Sequence, residues 1–508
     1  MWTTDPIKLM PSGANPARSC MVDVPDTEAN RSECLCPSCP SFPHECRGER
    51  LYCAAGRASC EIHARGCTCA GCPVYTRYGL DAIYYCNKEY VGRARVLMRK
   101  QKLHEDCDFY RTVYDIKSVA ATGKSTIRAM GSVKKLPFSL DNIHLLPAQV
   151  YRIPLNAGDP VNTKLVLGPN AKKPLEAPTP VIISGLSFGA VSRNVRVIIS
   201  RVAAEEAVLF NSGEGGVLPE EMAASARMIV QYSTGRFGIT EDLLRRAAAV
   251  EIRFGQGAYP GKGSLLPASK MTREVAAIRG LHPREDAYSP AHHADMKSPG
   301  EIKNKVSWLK ELTAGAPVGA KIGCGNVEKD IGVLVDSGVD FIALDGFGGG
   351  TGATSYYVRE NVGVPIAAAL PRAHHFLEKL GVRKDLSLVA GGDLRTSADI
   401  VKCLALGADA AYIGTAALIA INCEQYRICD TGLCPTGIAT QDPELARQCP
   451  VDQGVRKLGN FIRAATEEVA ELARIVGKND IHSLDSQDLV ALTRDMARLA
   501  GCRWVGDE

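Results

Sequence analysis

From residue 180 onward the chain repeats one pattern: a short apolar run, a glycine-bearing turn, then a stretch with helical spacing. The apolar runs are 181–184, 208–211, 228–232, 250–254, 318–322, 341–344, 386–390 and 410–413. Helix-like stretches such as 193–205, 327–336 and 397–406 fall between them. Neighbouring parallel strands need a crossover connection, and a helix supplies one, so this alternation predicts a parallel sheet. Eight such units predict an α/β chain built on a (β/α)8 TIM barrel, with a doubly wound open sheet as the alternative. Barrel enzymes place their chemistry at the carboxyl ends of the strands, which directs attention to the turns that follow each run.

The chain has 508 residues, more than a barrel alone requires. The expected organisation is a loose arm over 1–30, a cysteine-rich metal-binding module over 31–90, a connecting layer over 91–175, the barrel over 176–450 and C-terminal helices over 451–508. A 44-residue insertion over 257–300, rich in Gly, Pro and His, follows the fourth strand and is expected to wall the active site. A formal net charge of +4 is small for this length and argues against nucleic acid or a membrane surface as partner. No apolar run reaches 18 residues and the first residues hold no signal-like core, so a cytoplasmic location is expected.

Cysteine is unevenly used. Twelve of the 19 lie between Cys20 and Cys107. In a chain without an export signal, such density reads as metal ligation rather than disulfides. Cys34-Leu35-Cys36-Pro37-Ser38-Cys39-Pro40 recurs as Cys67-Thr68-Cys69-Ala70-Gly71-Cys72-Pro73, an internal echo offset by 33 residues. Cys46, Cys53, Cys60 and Cys86 complete the set of ten. Ten thiols exceed one four-coordinate site; one or two [4Fe–4S] clusters are favoured, and structural zinc is the alternative.

A second group stands after the last predicted strand: Cys423, Cys429 and Cys434, spaced C-x5-C-x4-C and followed by Pro435. Three soft ligands on a compact loop suit a [3Fe–4S] cluster. The glycine turns just upstream, Gly391-Gly392 and Gly414-Thr415, offer backbone N–H groups for a phosphate at the ends of strands seven and eight. Lys321, within an apolar run, is costly to bury unless it faces the electron-rich edge of a flavin or reaches water at the strand end.

Several stretches fall in a fixed order: Ile183-Ser184-Gly185-Leu186-Ser187, Asn211-Ser212-Gly213-Glu214, Gln231-Tyr232-Ser233, Gln256-Gly257-Ala258-Tyr259-Pro260-Gly261, Gly349-Gly350-Thr351-Gly352, and the turns and cysteines above. Together they resemble the FMN-binding synthase domain of glutamate synthase over about 145–450. The resemblance implies FMN contacts at Ser184, Gly185, Ser187, Asn211, Gln231, Lys321, Gly350, Thr351, Gly391, Gly392, Gly414 and Thr415. Asn211 serves equally well as a cap for the following helix. It also implies a 2-oxo acid held by Glu214, Gln256, Tyr259, Arg279 and Ser298, where Tyr259 replaces the lysine of the family pattern. Lys262 or Lys297 could restore the missing charge.

The chemistry so implied is reduction of an imine, formed from a 2-oxo acid (2-oxoglutarate favoured) and ammonia or an amine, to an amino acid. The alternatives are N-methylglutamate formation with methylamine, and a metal-dependent regulatory subunit without turnover. No glutaminase domain precedes the barrel, and no dinucleotide fingerprint is visible. A separate glutaminase subunit, electrons from ferredoxin or an electron-donating subunit, and an oligomer are therefore expected. The N-terminal module resembles a cysteine-rich domain of archaeal proteins.

Overall fold

The computed structural model describes residues 24–42, 45, 48–63, 65–78, 80, 84–87, 116–123, 125–127, 129–352 and 354–507. They divide into two compact units, Met1–Ser125 and Thr126–Glu508.

The second unit is a closed barrel of eight parallel strands. They are β1 (Val181–Ile183), β2 (Leu209–Asn211), β3 (Met228–Tyr232), β4 (Ala249–Arg253), β5 (Val318–Gly323), β6 (Phe341–Asp345), β7 (Ser387–Gly391) and β8 (Ala410–Ile413). Strand order follows chain order, and β8 pairs with β1 to close the ring. Every predicted strand is present, with ends displaced by a residue or so.

Side chains alternate in and out along each strand, as the two-residue period requires. Ile182, Leu209, Ile229, Ala249, Phe341, Ala343, Val389 and Ala410 fill the interior. Gly319 completes this layer, because a Cβ there would lie 2.4 Å from the Phe341 ring. An antiparallel pair, Leu165–Leu167 with Leu175–Ala177, adds Leu165, Leu167 and Ala177 to the same cluster. Ser387 at the start of β7 bonds this pair at Gly168 N (3.0 Å) and Val166 O (3.1 Å). It therefore stoppers the amino end, leaving the carboxyl end open for a ligand.

Outward-facing residues meet the helices. Helix Arg193–Glu205 buries Val195, Ile198, Ile199, Val202 and Ala203, one face of a 3.6-residue period. Helix Val451–Ile475 packs against it and against Ser397–Ala405 and Thr415–Ile421. Gly454 permits the close crossing, since a Cβ there would lie 2.3 Å from Ile198 Cδ1.

Within the C-terminal helices expected over 451–508, the helical pattern at 485–499 does not form one element. It divides into a 3-10 turn (Ser486–Asp488), a strand (Leu489–Ala491) and a helix (Arg494–Ala500). The strand pairs antiparallel with Ile143–Leu145, so an edge of the connecting segment outcompetes helical propensity here.

In the first unit, residues 1–23, most of the expected arm, lie outside the described residues. Short helical turns at Glu28–Glu33, Cys36–Ser38, Tyr52–Ala55, Cys69–Gly71, Pro73–Arg77 and Tyr85–Asn87 surround a small core of Leu51, Tyr52, Val74, Leu80 and Tyr85. Cys46 lies outside the described residues. Cys60 is disulfide-bonded, which removes its sulfur from the set of expected metal ligands.

Candidate active site

One cleft at the carboxyl end of the barrel gathers most of the expected residues. The turn after β1 contributes Ser184, Gly185 and Ser187, and β5 contributes Lys321. Gly350 and Thr351 follow β6, Gly392 follows β7, and Gly414-Thr415 opens the helix after β8. Glu214, Gln256, Tyr259 and Arg279 line the same cleft, and so do Cys423, Cys429 and Cys434.

Several features suit a flavin nucleotide. Gly392 has φ +104°, and a Cβ there would meet Gly346 O at 2.5 Å. At Gly350 a Cβ would meet Thr415 Oγ1 at 2.6 Å. Side chains are thus excluded where backbone amides must come close to a ligand. The buried Lys321 ammonium bonds Asp345 at 3.1 Å and lies 5.2 Å from the Tyr412 ring centroid. Gln231, just below the lining, has a buried Oε1 that accepts no hydrogen bond among the described residues. A bound group with an N–H would relieve that cost.

Asn211 is placed differently from its expected flavin role. Its Nδ2 donates to Glu251 (2.8 Å) and to the Tyr412 hydroxyl (3.3 Å), and its Oδ1 accepts from Gly213 N (2.8 Å). Gln231 Nε2 and the Tyr412 hydroxyl also reach Glu251, at 2.9 and 2.7 Å. Of this polar layer only Tyr412 reaches the cleft lining; Asn211, Gln231 and Glu251 do not, and neither does Gly391.

Glu214 organises the opposite wall. Its carboxylate accepts from Ser233 (3.0 Å), Ser289 (2.6 Å) and Ser264 (2.7 Å), and pairs with Arg253 at 3.0 Å. Burial alone would raise its pKa; the Arg253 charge and the three hydroxyls outweigh burial and hold it below the usual value. Arg253 also donates to the Tyr259 hydroxyl at 2.8 Å. Burial pushes that phenol up to about 12, so it keeps its proton at neutral pH.

Arg279 comes from the helix Arg273–Arg279 inside the long insertion. Its guanidinium donates to Phe188 O at 3.1 and 2.8 Å and to Glu214 O at 3.3 Å, all neutral carbonyls. Among the described residues no carboxylate pairs with it. Burial brings its pKa down to about 10, still charged at neutral pH. The nearest negative charge, Glu214, is already paired with Arg253, so a buried cation with no carboxylate paired to it beside a cleft is a ready carboxylate site.

Ser298 is not part of this wall; it caps the helix Pro299–Leu312, accepting from Glu301 N. Lys262 and Lys297 do not line the cleft either: Lys262 reaches Ser355 Oγ at 3.3 Å, and Lys297 is exposed. Sequence reasoning missed Arg253, whose signal was available. Glu251 and Arg253 are two charges at i and i+2 on an otherwise apolar strand, hence both inward-facing.

The cysteine loop carries its own strain. Gln425 and Arg427 have φ of 54° and 59°, left-handed values that non-glycine residues adopt at a cost. Burial raises Cys423 and pushes Cys429 up to about 12. For Cys434 burial is outweighed by hydrogen bonds from Thr436 and nearby backbone, and its pKa is lowered. Lys270, also missed, is buried and donates to Cys429 O (3.0 Å) and Ala190 O (2.7 Å), tying the cysteine loop to the turn after β1. Burial lowers its pKa to about 8. Among the described residues no three His, Cys, Asp or Glu side chains already converge on a lone-ion site.

Residues 112–479 match the family described as the conserved region in glutamate synthase. Residues 34–87 match a family described as a protein of unknown function, DUF2769. A glutamate synthase large subunit-like protein of Rhizobium meliloti is 38% identical over 418 residues, covering 77% of this chain and 94% of the relative. An archaeal glutamate synthase (NADPH) of Methanocaldococcus jannaschii is 36% identical over 400 residues, covering 73% of this chain and 78% of the relative. Among solved structures, a flavocytochrome b2 variant with sulfite bound covers 73% of this chain and 80% of its own, at 15% identity and a TM-score of 0.46, too remote for a functional comparison. Because the first match runs unbroken through all eight strands and the cysteine loop, the chain belongs to the glutamate synthase family and is a glutamate synthase-like oxidoreductase.

Proposed function

We propose that the cleft binds FMN and a [3Fe–4S] cluster, and that the chain reduces the imine of a 2-oxo acid, 2-oxoglutarate by preference, to an amino acid. The observation that carries this reading is the lining of one cleft by the Arg279 guanidinium, by Lys321, and by Cys423, Cys429 and Cys434. FMN supplies hydride chemistry at a carbon–nitrogen double bond, and a cluster on the three thiols supplies single electrons.

Arg279 orients the acid by donating to its carboxylate, and the Gln256 amide lines the same cleft. Glu214 is fully engaged by Arg253 and three serines, so its part is to fix the wall rather than to touch the acid. Tyr259 receives a hydrogen bond from Arg253 and also contacts Ser264, and its own proton would be turned to an oxygen or nitrogen of the substrate. A neutral donor, backed by a buried guanidinium, thus stands where the family pattern has a lysine. Lys321, held by Asp345, would supply positive charge to a flavin bound in the cleft. Ammonia from a separate glutaminase, or an amine, and ferredoxin or an electron-donating subunit complete the system.

The experiment is anaerobic. Chemically reduced protein is mixed with 2-oxoglutarate and ammonia, and flavin absorbance and glutamate are followed. Reoxidation with glutamate formation supports the proposal, and methylamine in place of ammonia measures amine choice. A protein that purifies without flavin, or whose reduced flavin ignores every 2-oxo acid and amine pair, overturns it.

A further inference from the structure

The N-terminal unit carries a site that the barrel chemistry does not explain. Eight free cysteines, Cys34, Cys36, Cys39 and Cys53 together with Cys67, Cys69, Cys72 and Cys86, line a single cavity. Its remaining walls are apolar and aromatic, among them Leu35, Phe42, Tyr52, Tyr75 and Tyr85. Such walls disfavour water and free charge, so thiolates there need a bound cation or cluster.

The 33-residue echo extends further than the two C-x-C-x2-C-P runs, since Cys53 and Cys86 have the same offset. The backbone repeats with it. Leu51 and Tyr84, one offset apart, are both left-handed, with φ of 59° and 56°. The turn that bonds Cys39 N to Cys36 O at 3.0 Å recurs as Cys72 N to Cys69 O at 3.0 Å. Cys34 Sγ accepts from Cys36 N (3.4 Å) and from the Leu51 amide; Cys67 Sγ accepts from Tyr84 N (3.3 Å) and from the Cys69 amide. Amide bonds of this kind stabilise the thiolate form and tune a bound cluster.

The third cysteine of each C-x-C-x2-C-P run leaves its own repeat. Cys39 Sγ lies 3.6 Å from Gly66 O, beside Cys67, and is hydrogen-bonded to the Cys67 sulfur. Cys72 Sγ lies 4.0 Å from Glu33 O, beside Cys34. Cys53 is within electrostatic reach of Cys34 and Cys72, while Cys86 is within reach of Cys39 and Cys67. Two sets of four result: Cys34, Cys36, Cys53 and Cys72 in one, and Cys67, Cys69, Cys86 and Cys39 in the other. In two-cluster ferredoxins the cysteine that precedes proline ligates the other cluster.

We infer that this unit holds two neighbouring iron–sulfur clusters, each bound by three cysteines of one repeat and by the proline-flanked cysteine of the other. Cys60, in its disulfide, is not a ligand. The inference reads metal content and not turnover, so it stands or falls separately from the imine chemistry of the barrel.

The test uses the full chain purified anaerobically, with iron, acid-labile sulfide and zinc measured per chain. Crossed ligation predicts that Cys39→Ser with Cys67→Ser, far apart in sequence, removes the iron of one cluster. Cys36→Ser with Cys39→Ser, neighbours in sequence, removes twice as much. Cys60→Ser leaves iron unchanged. The reverse pattern for the two double variants, iron lost with Cys60→Ser, or zinc in place of iron overturns the inference. Should the variants fail to accumulate, the reduced parent protein decides by electron paramagnetic resonance. Spin–spin broadening between two close clusters is expected, and its absence overturns the inference.

Discussion

Arg253 Nη1 donates to the Tyr259 hydroxyl at 2.8 Å, while its Nη2 pairs with Glu214 at 3.0 Å. Both charged partners are almost fully buried. Removing one partner of such a pair leaves the other charged and unsolvated, at about 3–5 kcal/mol, whereas removing both is often mild. Glu214→Gln should therefore lower the denaturation midpoint strongly. Glu214→Met with Arg253→Met should recover much of the loss. A double variant at least as unstable as Glu214→Gln would show that packing, rather than charge pairing, holds this wall.

Among the described residues Arg279 has no paired carboxylate, and its planar fork is suited to receive one. Arg279→Lys keeps the charge but loses the fork. The expected result is a KM for the 2-oxo acid raised about tenfold or more, with kcat changed less. An unchanged KM would remove Arg279 from substrate binding.

Gly392 combines φ +104° with a carbonyl only 2.5 Å from where a Cβ would sit. Gly392→Ala must move the turn after β7. Purified protein should then carry substantially less FMN per chain, measured by absorbance after denaturation, with the helical circular dichroism retained. Full flavin occupancy would argue that this turn does not hold the nucleotide.

His293 is buried, with Arg236 Nη2 3.2 Å from its Nδ1 and Arg253 O 3.0 Å from its Nε2. The rings of Tyr232 and Phe254 also face it, and Asp295 pairs with Arg236. Burial first, then the Arg236 charge, lowers its pKa from 6.5 to about 4. Between those values the unfolded chain binds this proton and the folded chain does not. Stability is therefore complete above pH 6.5 and declines as pH falls towards 4, by up to about 3 kcal/mol. Denaturation curves across this range should flatten in His293→Gln. An unaltered pH slope would mean that other groups carry the acid sensitivity.

The barrel was legible because two signals agreed along its length. Met228–Tyr232 and Ala410–Ile413 are short β-rich runs, and Arg193–Glu205 and Val327–Asp336 show helical spacing, so local pattern and global topology point the same way. The segment around Leu489–Ala491 was misread because its strand exists only through pairing with Ile143–Leu145, some 340 residues away, which no local window contains. The site shows the same division. Glycine turns and the cysteine triplet announce themselves in sequence, since each needs a special backbone or donor set. Arg253 and Lys270 were missed because their significance lies in partners, Glu214 and Cys429, that only the fold brings near. Ser298 failed for the converse reason: a serine before Pro299 and Glu301 is already used in starting a helix.

Cys39 Sγ approaches Gly66 O and Cys72 Sγ approaches Glu33 O, so under the crossed ligation inferred above neither half holds a complete set of sulfurs. A solitary unit of this length would have to recruit an identical chain to fill its fourth position. The module repeats one pattern twice along a single chain, and a chain carrying only one copy would be expected to dimerise before it could fold around metal.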